Sequence, residues 1–163
     1  MNTTIFSGTI PALMTPCKAD RSPDFDALVR EAWAIHVGER DSPALFAVGG
    51  YGRGELFPRS DIDLLVLAEP DAQQAHGAGL SEFFALLWDT GLAVGHAVRS
   101  AAECTSAAAD QTVMTALLEA RPVVAGAEAM AALEAAIAPA RIWPPREFFL
   151  AKREELERRH RRF

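Results

Sequence analysis

Hydrophobic residues in this chain fall into short runs separated by glycine, proline and charged positions. Two of these runs, at residues 45–48 and 64–67, enclose a segment rich in glycine, arginine and aspartate. Apolar runs of this length between turn residues are typical of buried strands. The pattern therefore predicts a strand, then a loop or short helix over residues 51–56, then a second strand.

Helical spacing dominates most of the remaining chain. Ahead of the first strand, Pro23 and Asp24 form a helix start signal, and Gly38 is a stop signal. Four large apolar residues recur between them at helical spacing: Phe25, Leu28, Val29 and Trp33. The predicted downstream elements are a helix at 72–88, a strand at 92–100, one or two helices at 101–120, a short extended piece before Gly126, and helices at 127–138 and 146–162. The predicted fold class is α/β (α+β), a small mixed sheet flanked by helices.

Two aspartates open the second predicted strand. Residues two apart on a strand point to the same face, so Asp61 and Asp63 project side by side. Carboxylates this close repel each other unless a cation lies between them. Mg²⁺ prefers oxygen ligands and combines one or two carboxylates with substrate phosphates. An Asp-x-Asp pair on a surface loop often has no function, but this pair enters an apolar strand, where unpartnered carboxylates are costly.

The glycines before these aspartates predict the other half of a phosphate site. Gly49 and Gly50 allow the backbone to approach a ligand closely, although a Gly-Gly pair after a strand is often only a turn. If residues 51–56 form a helical turn, its free N–H groups bind an anion, and Arg53 adds positive charge. Together with Asp61 and Asp63, these residues indicate metal-dependent phosphoryl chemistry.

The stretch GGYGRGELFPRSDIDLL resembles the signature of a known family, the nucleotidyltransferase domain of bacterial PII uridylyltransferases (bifunctional uridylyltransferase/uridylyl-removing enzymes) of the DNA polymerase β superfamily. The resemblance continues to the end of the chain from about residue 42. It implies a polymerase-β-like fold and Mg²⁺-dependent transfer of UMP from UTP to a tyrosine of the PII signalling protein, in nitrogen regulation. By this resemblance, Gly49, Gly50 and Ser60 form the triphosphate cradle, and Asp61 and Asp63 bind the metal.

The third predicted strand departs from the superfamily pattern. Enzymes of this superfamily usually take a third carboxylate from a strand in this position, and Ala93, Gly95 and His96 occupy the corresponding places. His96 either ligates the metal or takes a proton, or it is a histidine hydrogen-bonded within the sheet. Arg99 meets either phosphate or a surface acid, and the acid is favoured. Asp89 and Asp110 are fallback carboxylates that read more simply as helix-terminus or surface residues.

Residues 5–38 resemble a different family, the dihydrodipicolinate synthase/N-acetylneuraminate lyases, in which they would form the first barrel strand and helix. This second resemblance predicts a chimera. Its parts are an N-terminal strand–helix segment of barrel origin at 1–40, a nucleotidyltransferase core at 41–126 and C-terminal helices at 127–163. A (β/α)₈ barrel needs roughly 200 residues or more, so lyase activity is not expected. Alternative functions are a catalytically inactive hybrid and a nucleotide-binding regulatory module.

The composition of the chain limits which partners and which cellular compartment are expected. The chain has 163 residues and a net charge of −6, which disfavours an extended nucleic-acid surface. Cys17 and Cys104 lack metal-ligand spacing and favour a reducing cytoplasm. No apolar run is long enough to predict a membrane span.

In the last helix, Phe149, Leu156 and Phe163 form a narrow apolar stripe that predicts partial exposure or self-association.

Overall fold

The computed structural model describes residues 17, 19, 23–38, 43–56, 60–138 and 142–161. The helices are α1 (Phe25–His36), α2 (Gly49–Gly52), α3 (Pro70–Asp89), α4 (Ala101–Ala107), α5 (Gln111–Leu118), α6 (Ala127–Ala136) and α7 (Pro145–His160). The strands are β1 (Ala44–Ala47), β2 (Ile62–Leu67), β3 (Val94–Arg99) and β4 (Arg121–Val124). The predicted mixed α/β class is confirmed.

The four strands form one mixed sheet in the order β3-β2-β1-β4. β1 pairs antiparallel with both β2 and β4, and β2 pairs parallel with β3. The long helix α3 makes the crossover that a parallel pair requires. β2 is therefore an interior strand, flanked by β1 on one side and β3 on the other.

One face of the sheet is covered by α1 and α3. The buried side chains in this layer alternate along β2 and meet both helices: Val29, Trp33, Ile62, Leu64, Val66, Phe83 and Leu87. Trp33 and Phe83 pack edge to face with ring centroids 5.2 Å apart. The helix predicted from the N-terminal apolar pattern therefore exists, and it packs against the sheet as part of the core.

The opposite face of the sheet is covered by α4, α5 and α6. Its buried side chains come from the alternate strand positions and from these helices: Ala44, Phe46, Leu65, Leu67, Cys104, Met114, Leu117 and Leu133. The region predicted as a helical hairpin or one interrupted helix is two helices, because Ser100 caps α4 and Asp110 caps α5. The extended piece before Gly126 is the edge strand β4, paired with β1.

No helix among the described residues is long and apolar enough to cross a membrane. Cys104 is buried, Cys17 is exposed, and no disulfide joins them. The strand predicted near the N-terminus and Phe163 lie outside the described residues.

Candidate active site

Asp63 lies on β2 between two glycines. In the parallel register Asp63 pairs with Gly95 of β3, and a Cβ at Gly95 would collide with Asp63 Oδ1. A Cβ at Gly49 would lie 3.4 Å from Asp63 Oδ2. The Asp63 carboxylate therefore occupies a gap that exists because both neighbours lack side chains. Asp61 is exposed and directly precedes the strand.

The electrostatics of this pair fit a bound cation. Burial, and secondly the negative charge of Asp61, raise the pKa of Asp63. A positive ion between the two carboxylates would reverse that penalty, and carboxylate oxygens are the ligands that Mg²⁺ prefers. Within the described ranges, no group of three or more His, Cys, Asp or Glu side chains comes together as a metal site. That Asp61 and Asp63 hold the metal stays a prediction.

The glycine turn follows β1 directly and is the short helix α2. Gly49 has a φ of +58°, a left-handed conformation that favours glycine. It is the first residue of α2. The N–H groups of Gly49, Gly50 and Tyr51 lie ahead of the first internal helix bond, which runs from Gly52 N–H to the Val48 carbonyl at 3.0 Å. This turn is attached to Asp63, because Val48 N–H donates to the Asp63 carbonyl at 3.0 Å.

Arg53 lies beside the turn but is already paired. Its guanidinium bonds to Glu55 Oε2 at 2.8 Å and to Glu119 Oε2 at 2.6 Å. Its Nη2 is 3.9 Å from the position that a Cβ of Gly50 would take. A phosphate contact by Arg53 stays a prediction, and it requires exchange of at least one of these two carboxylates.

A partly buried cluster of three side chains anchors the glycine turn to α1 and β4. Tyr51 is buried, and its hydroxyl donates to Asp26 Oδ1 of α1 at 2.6 Å. Arg121 of β4 donates to both oxygens of the same carboxylate, at 2.8 and 3.0 Å, and its guanidinium carbon lies 5.3 Å from the centre of the Tyr51 ring. This Asp26–Tyr51–Arg121 cluster joins α1, α2 and β4. A Cβ at Gly52 would collide with the Glu119 carbonyl, so the turn also packs closely on the end of α5.

The cluster perturbs the titration of its members. Burial favours the neutral form of Asp26, but hydrogen bonds from Arg121 and Tyr51 and the charges of Arg121 and Arg30 outweigh it and lower the pKa of Asp26. Burial, and secondly the hydrogen bond to Asp26, raise the pKa of Tyr51. Tyr51 is therefore a neutral donor and Asp26 an ionised acceptor at neutral pH.

His96 does not join the aspartates. It pairs with Leu64 in the β2–β3 register and lies on the α1/α3 face of the sheet, the face opposite to Asp63. Its ring stacks on Phe84 of α3 at 4.1 Å between centroids and contacts Trp88 at 5.4 Å. The predicted catalytic role of His96 would need this ring to leave its aromatic neighbours and cross the sheet.

The sequence also singled out Ser60, Asp110, Asp89 and Arg99. Ser60 is half-buried and directly precedes Asp61, so its role in the cradle stays a prediction. Asp110 accepts hydrogen bonds from Thr112 N–H at 2.7 Å and Val113 N–H at 3.1 Å, which confirms the helix-terminus interpretation. Asp89 is exposed at the end of α3. Arg99 forms no ion pair within the described part of the chain, but its charge acts on the exposed carboxylate of Glu103, so the choice between a surface acid and phosphate stays a prediction.

Sequence reasoning missed the Asp26–Tyr51–Arg121 cluster. Asp26 reads as an ordinary acid in a first helical turn, and Arg121 follows α5 with no marker of its own. The available signal was Tyr51, the chain's single tyrosine, which stands inside the glycine motif. A large aromatic among glycines needs a burial site, and its hydroxyl needs a partner there.

A mixed sheet with one carboxylate on an interior strand and a second directly before it, together with a glycine turn at the end of the preceding strand, defines a nucleotidyltransferase. The family comparison agrees: the model described as "Nucleotidyltransferase domain" matches residues 37–121, and the chain belongs to this family. That match includes the glycine turn, both aspartates and β3.

Among individual proteins, the chain is similar to bacterial uridylyltransferases. It is 64% identical over 143 residues to the "Bifunctional uridylyltransferase/uridylyl-removing enzyme" of Xanthomonas campestris pv. campestris (strain B100), covering 88% of this chain and 16% of that protein. The protein of the same name from Stutzerimonas stutzeri (strain A1501) is 44% identical over 146 residues, with the same coverage. The chain thus spans about one sixth of the length of these relatives.

A solved structure, the crystal structure of a toxin-antitoxin with AMP-PNP, has a TM-score of 0.47 and 13% identity, and the match covers 82% of this chain and 95% of that one. That similarity is too weak to bear on function.

A barrel origin for residues 5–38 finds no support in these comparisons. A match that covers 88% of the chain leaves at most about 20 of its 163 residues outside, so α1, which begins at Phe25, lies inside the part shared with the uridylyltransferases. The structure agrees, because Asp26 of α1 bonds to the glycine turn. The boundaries at residues 40 and 126 stay predictions.

Proposed function

We propose that this chain transfers UMP from UTP to a tyrosine hydroxyl of a PII signalling protein, with Mg²⁺ as cofactor. The observation that carries the proposal is the Asp61/Asp63 pair next to the Gly49–Gly52 turn. The 64% identity to a protein named for uridylyl transfer supports the choice of nucleotide. With this substrate the protein would act in nitrogen regulation in the bacterial cytoplasm.

In this mechanism Asp61 and Asp63 hold Mg²⁺, which when bound supplies positive charge to the phosphates and the attacking oxygen. The N–H groups at the start of α2 orient the triphosphate. The tyrosine oxygen bonds to the α-phosphorus and gives up its proton to solvent, while the bond from the α-phosphorus to the bridging oxygen breaks and releases pyrophosphate. The protein contributes position and charge rather than a covalent intermediate.

The roles of the remaining residues follow from their contacts. The Asp26–Tyr51–Arg121 cluster keeps the turn at a fixed distance from β2, since Tyr51 is anchored to α1 and β4 at once. Arg53 is assigned to the same support, through its bonds to Glu55 and Glu119. We leave His96 out of the reaction, because its ring lies on the other face of the sheet.

The proposal is tested by incubating the 163-residue chain with labelled UTP, Mg²⁺ and PII protein. Asp61→Asn and Asp63→Asn should each lower transfer at least about 100-fold, because each removes a metal ligand and metal ligation is worth several kcal/mol in such reactions. Asp89→Asn, which changes an exposed carboxylate at the end of α3, is the matched control and should transfer normally.

Transfer at an unchanged rate in either aspartate variant would remove the central claim. Mg²⁺-dependent UTP binding without transfer to any acceptor would favour the regulatory-module alternative.

We also propose that α7 self-associates. Phe149 and Leu156 on this helix are 65% and 56% exposed, and with Lys152 and Arg153 they line a surface cavity of about 360 Å³. Exposed apolar side chains grouped on one helix face are typical of association surfaces.

A further inference from the structure

A second cavity lies against the candidate active site and is not used by the chemistry described above. It has a volume of about 370 Å³ and lies between β3 and α5. Asp63 lines it near one end of β3 and Arg99 lines it at the other. Gly95, the partner of Asp63, and Arg99 are four positions apart, which is about 13 Å along a strand at roughly 3.3 Å per residue.

The cavity has room because β3 contributes small residues to its floor, next to Leu65 of β2. Gly95, Ala97 and Arg99 alternate along β3 toward the same face as Asp63, so the first two floor positions of β3 carry no side chain larger than a methyl group. The opposite wall is α5, through Val113, Ala116 and Leu117. The lining is therefore mostly apolar, and the volume falls within the roughly 300–1,000 Å³ of small-molecule pockets.

Arg99 brings a positive charge into this apolar lining. Its side chain is half-buried, and it makes no ion pair or side-chain hydrogen bond with any residue that the structure describes. Glu103 interacts with Arg99 through charge, but no ion pair joins them among the described residues, and the Glu103 carboxylate accepts from Ser100 N–H at 2.7 Å and from Gln73 Nε2 at 3.3 Å. Among the described residues this guanidinium forms no ion pair or hydrogen bond, and a half-buried guanidinium at the end of an apolar cavity is suited to a ligand acceptor.

We propose that this cavity receives the nucleoside half of the substrate and that Arg99 reads the base. This inference rests on the proposed function, which places the α-phosphate at Asp61 and Asp63. With the β- and γ-phosphates on the glycine turn, the ribose and base extend the other way, over Gly95 and Ala97. The apolar wall of α5 fits an aromatic ring, whereas a triphosphate would need more cations than the one that lines this cavity.

The hydrogen-bond donors of Arg99 distinguish uracil from cytosine. A guanidinium has five N–H donors and no acceptor. Uracil presents a carbonyl oxygen at its 4-position, and cytosine presents an amino group there. Arg99 at the end of the cavity therefore bonds to uracil and leaves the cytosine amino group facing a cation with no acceptor. Arg99 is thus a specificity-determining residue that favours UTP over CTP.

The first experiment measures equilibrium binding of UTP and CTP, with Mg²⁺, to the 163-residue chain. The unaltered chain should prefer UTP by about tenfold or more, the value of one charge-assisted hydrogen bond. Arg99→Gln supplies both a donor and an acceptor and should reduce that preference to near unity. Arg99→Lys keeps a donor-only group and should retain a preference for UTP. Arg153→Gln, at an exposed arginine of α7, is the control and should leave the ratio unchanged.

The second experiment uses a different part of the cavity and separates nucleoside from phosphate. Ala116→Leu fills the α5 wall, so UTP should bind about tenfold or more weakly, while inorganic tripolyphosphate with Mg²⁺ should bind as before. Ala85→Leu, an exposed alanine of α3, is the matched control. Loss of tripolyphosphate binding in Ala116→Leu would assign the cavity to the phosphates and overturn the inference.

The outcomes distinguish the two levels of proposal. If the unaltered chain binds no UTP in the presence of Mg²⁺, the proposed function fails and the inference fails with it. If UTP binds and is transferred, but Arg99→Gln keeps the full UTP preference or Ala116→Leu keeps full UTP affinity, the inference alone is overturned.

Discussion

Asp63 and Gly95 are register partners on parallel strands, and Asp63 Oδ1 occupies the space that a Cβ at position 95 would require. The Asp63 carboxylate can therefore take this position only because residue 95 has no side chain. Because Gly95 stands on the strand that carries no carboxylate of its own, its contribution to the site is room for the carboxylate of β2.

Gly95→Ala should therefore damage the site more than the fold. The added methyl group meets the end of a side chain rather than backbone, so Asp63 can rotate away at little cost in stability. A displacement of about 1 Å in a catalytic group can lower the rate roughly 100-fold. We expect UMP transfer to fall by about that factor, measured beside urea unfolding of the same protein.

Gly77→Ala is the control for this variant. A Cβ at Gly77 would meet nothing within 4 Å, and the residue lies in the interior of α3. It should raise the free energy of unfolding by about 0.5–1 kcal/mol through helix propensity and leave transfer unchanged. Equal rates in the two alanine variants would refute the steric role of Gly95.

Asp63→Asn should stabilise the metal-free protein while removing activity. The raised pKa of Asp63 means that its ionised form costs stability at pH values above the folded-state pKa, and asparagine does not ionise. In EDTA at pH 7 the variant should have the higher urea midpoint. Adding Mg²⁺ should raise the melting temperature of the unaltered chain and not that of the variant. A less stable variant in EDTA would contradict the electrostatic account.

Tyr51→Phe should weaken the support of the glycine turn. The variant loses the 2.6 Å bond to Asp26 and leaves a charged acceptor without one of its donors. The free energy of unfolding should fall by about 1–2 kcal/mol, measured by urea denaturation. Ser81→Ala removes an exposed hydroxyl-to-carbonyl bond of 2.9 Å and should change stability much less. If both variants unfold at the same midpoint, the Tyr51 hydroxyl does not stabilise the fold.

The Asp26–Tyr51–Arg121 cluster should also make the stability of the fold decrease at acid pH. The pKa of Asp26 is lowered from its ordinary value of 3.8, so its stabilising contribution is fully present above that value and is lost as pH falls through the folded-state pKa. Stability measured from pH 6 down to below pH 3.8 should therefore decline less steeply in Asp26→Asn than in the unaltered chain. Identical pH slopes would show that another carboxylate governs acid unfolding.

Self-association through α7 is tested by light scattering. Phe149→Ser/Leu156→Ser replaces two side chains that are 65% and 56% exposed, so the fold should be retained. The unaltered chain should show a larger mass than this double variant at equal concentration. A monomeric unaltered chain would end the proposal.

Local sequence patterns were sufficient for most elements of the fold. β1, β2 and α1 follow from apolar runs and helical spacing, because side-chain periodicity directly reflects which face of an element is buried. The predicted division of the strand around Asp61 and Asp63 also holds, with Ile62 and Leu64 in the opposite layer. The site chemistry was visible for the same reason, since the glycines and aspartates lie within 15 residues of chain, from Gly49 to Asp63.

The set of elements, the carboxylate pair and the glycine turn thus follow from local sequence. Which distant residues meet depends on how the elements pack together. Asp26 and Arg121 are 95 positions apart and touch because α1 packs behind β4, and Arg99 and α5 enclose a cavity because β3 pairs in parallel with β2. His96 faces α3 rather than Asp63 because that register sets the side of each β3 residue. Contacts between elements depend on sheet order and register, which local periodicity does not encode.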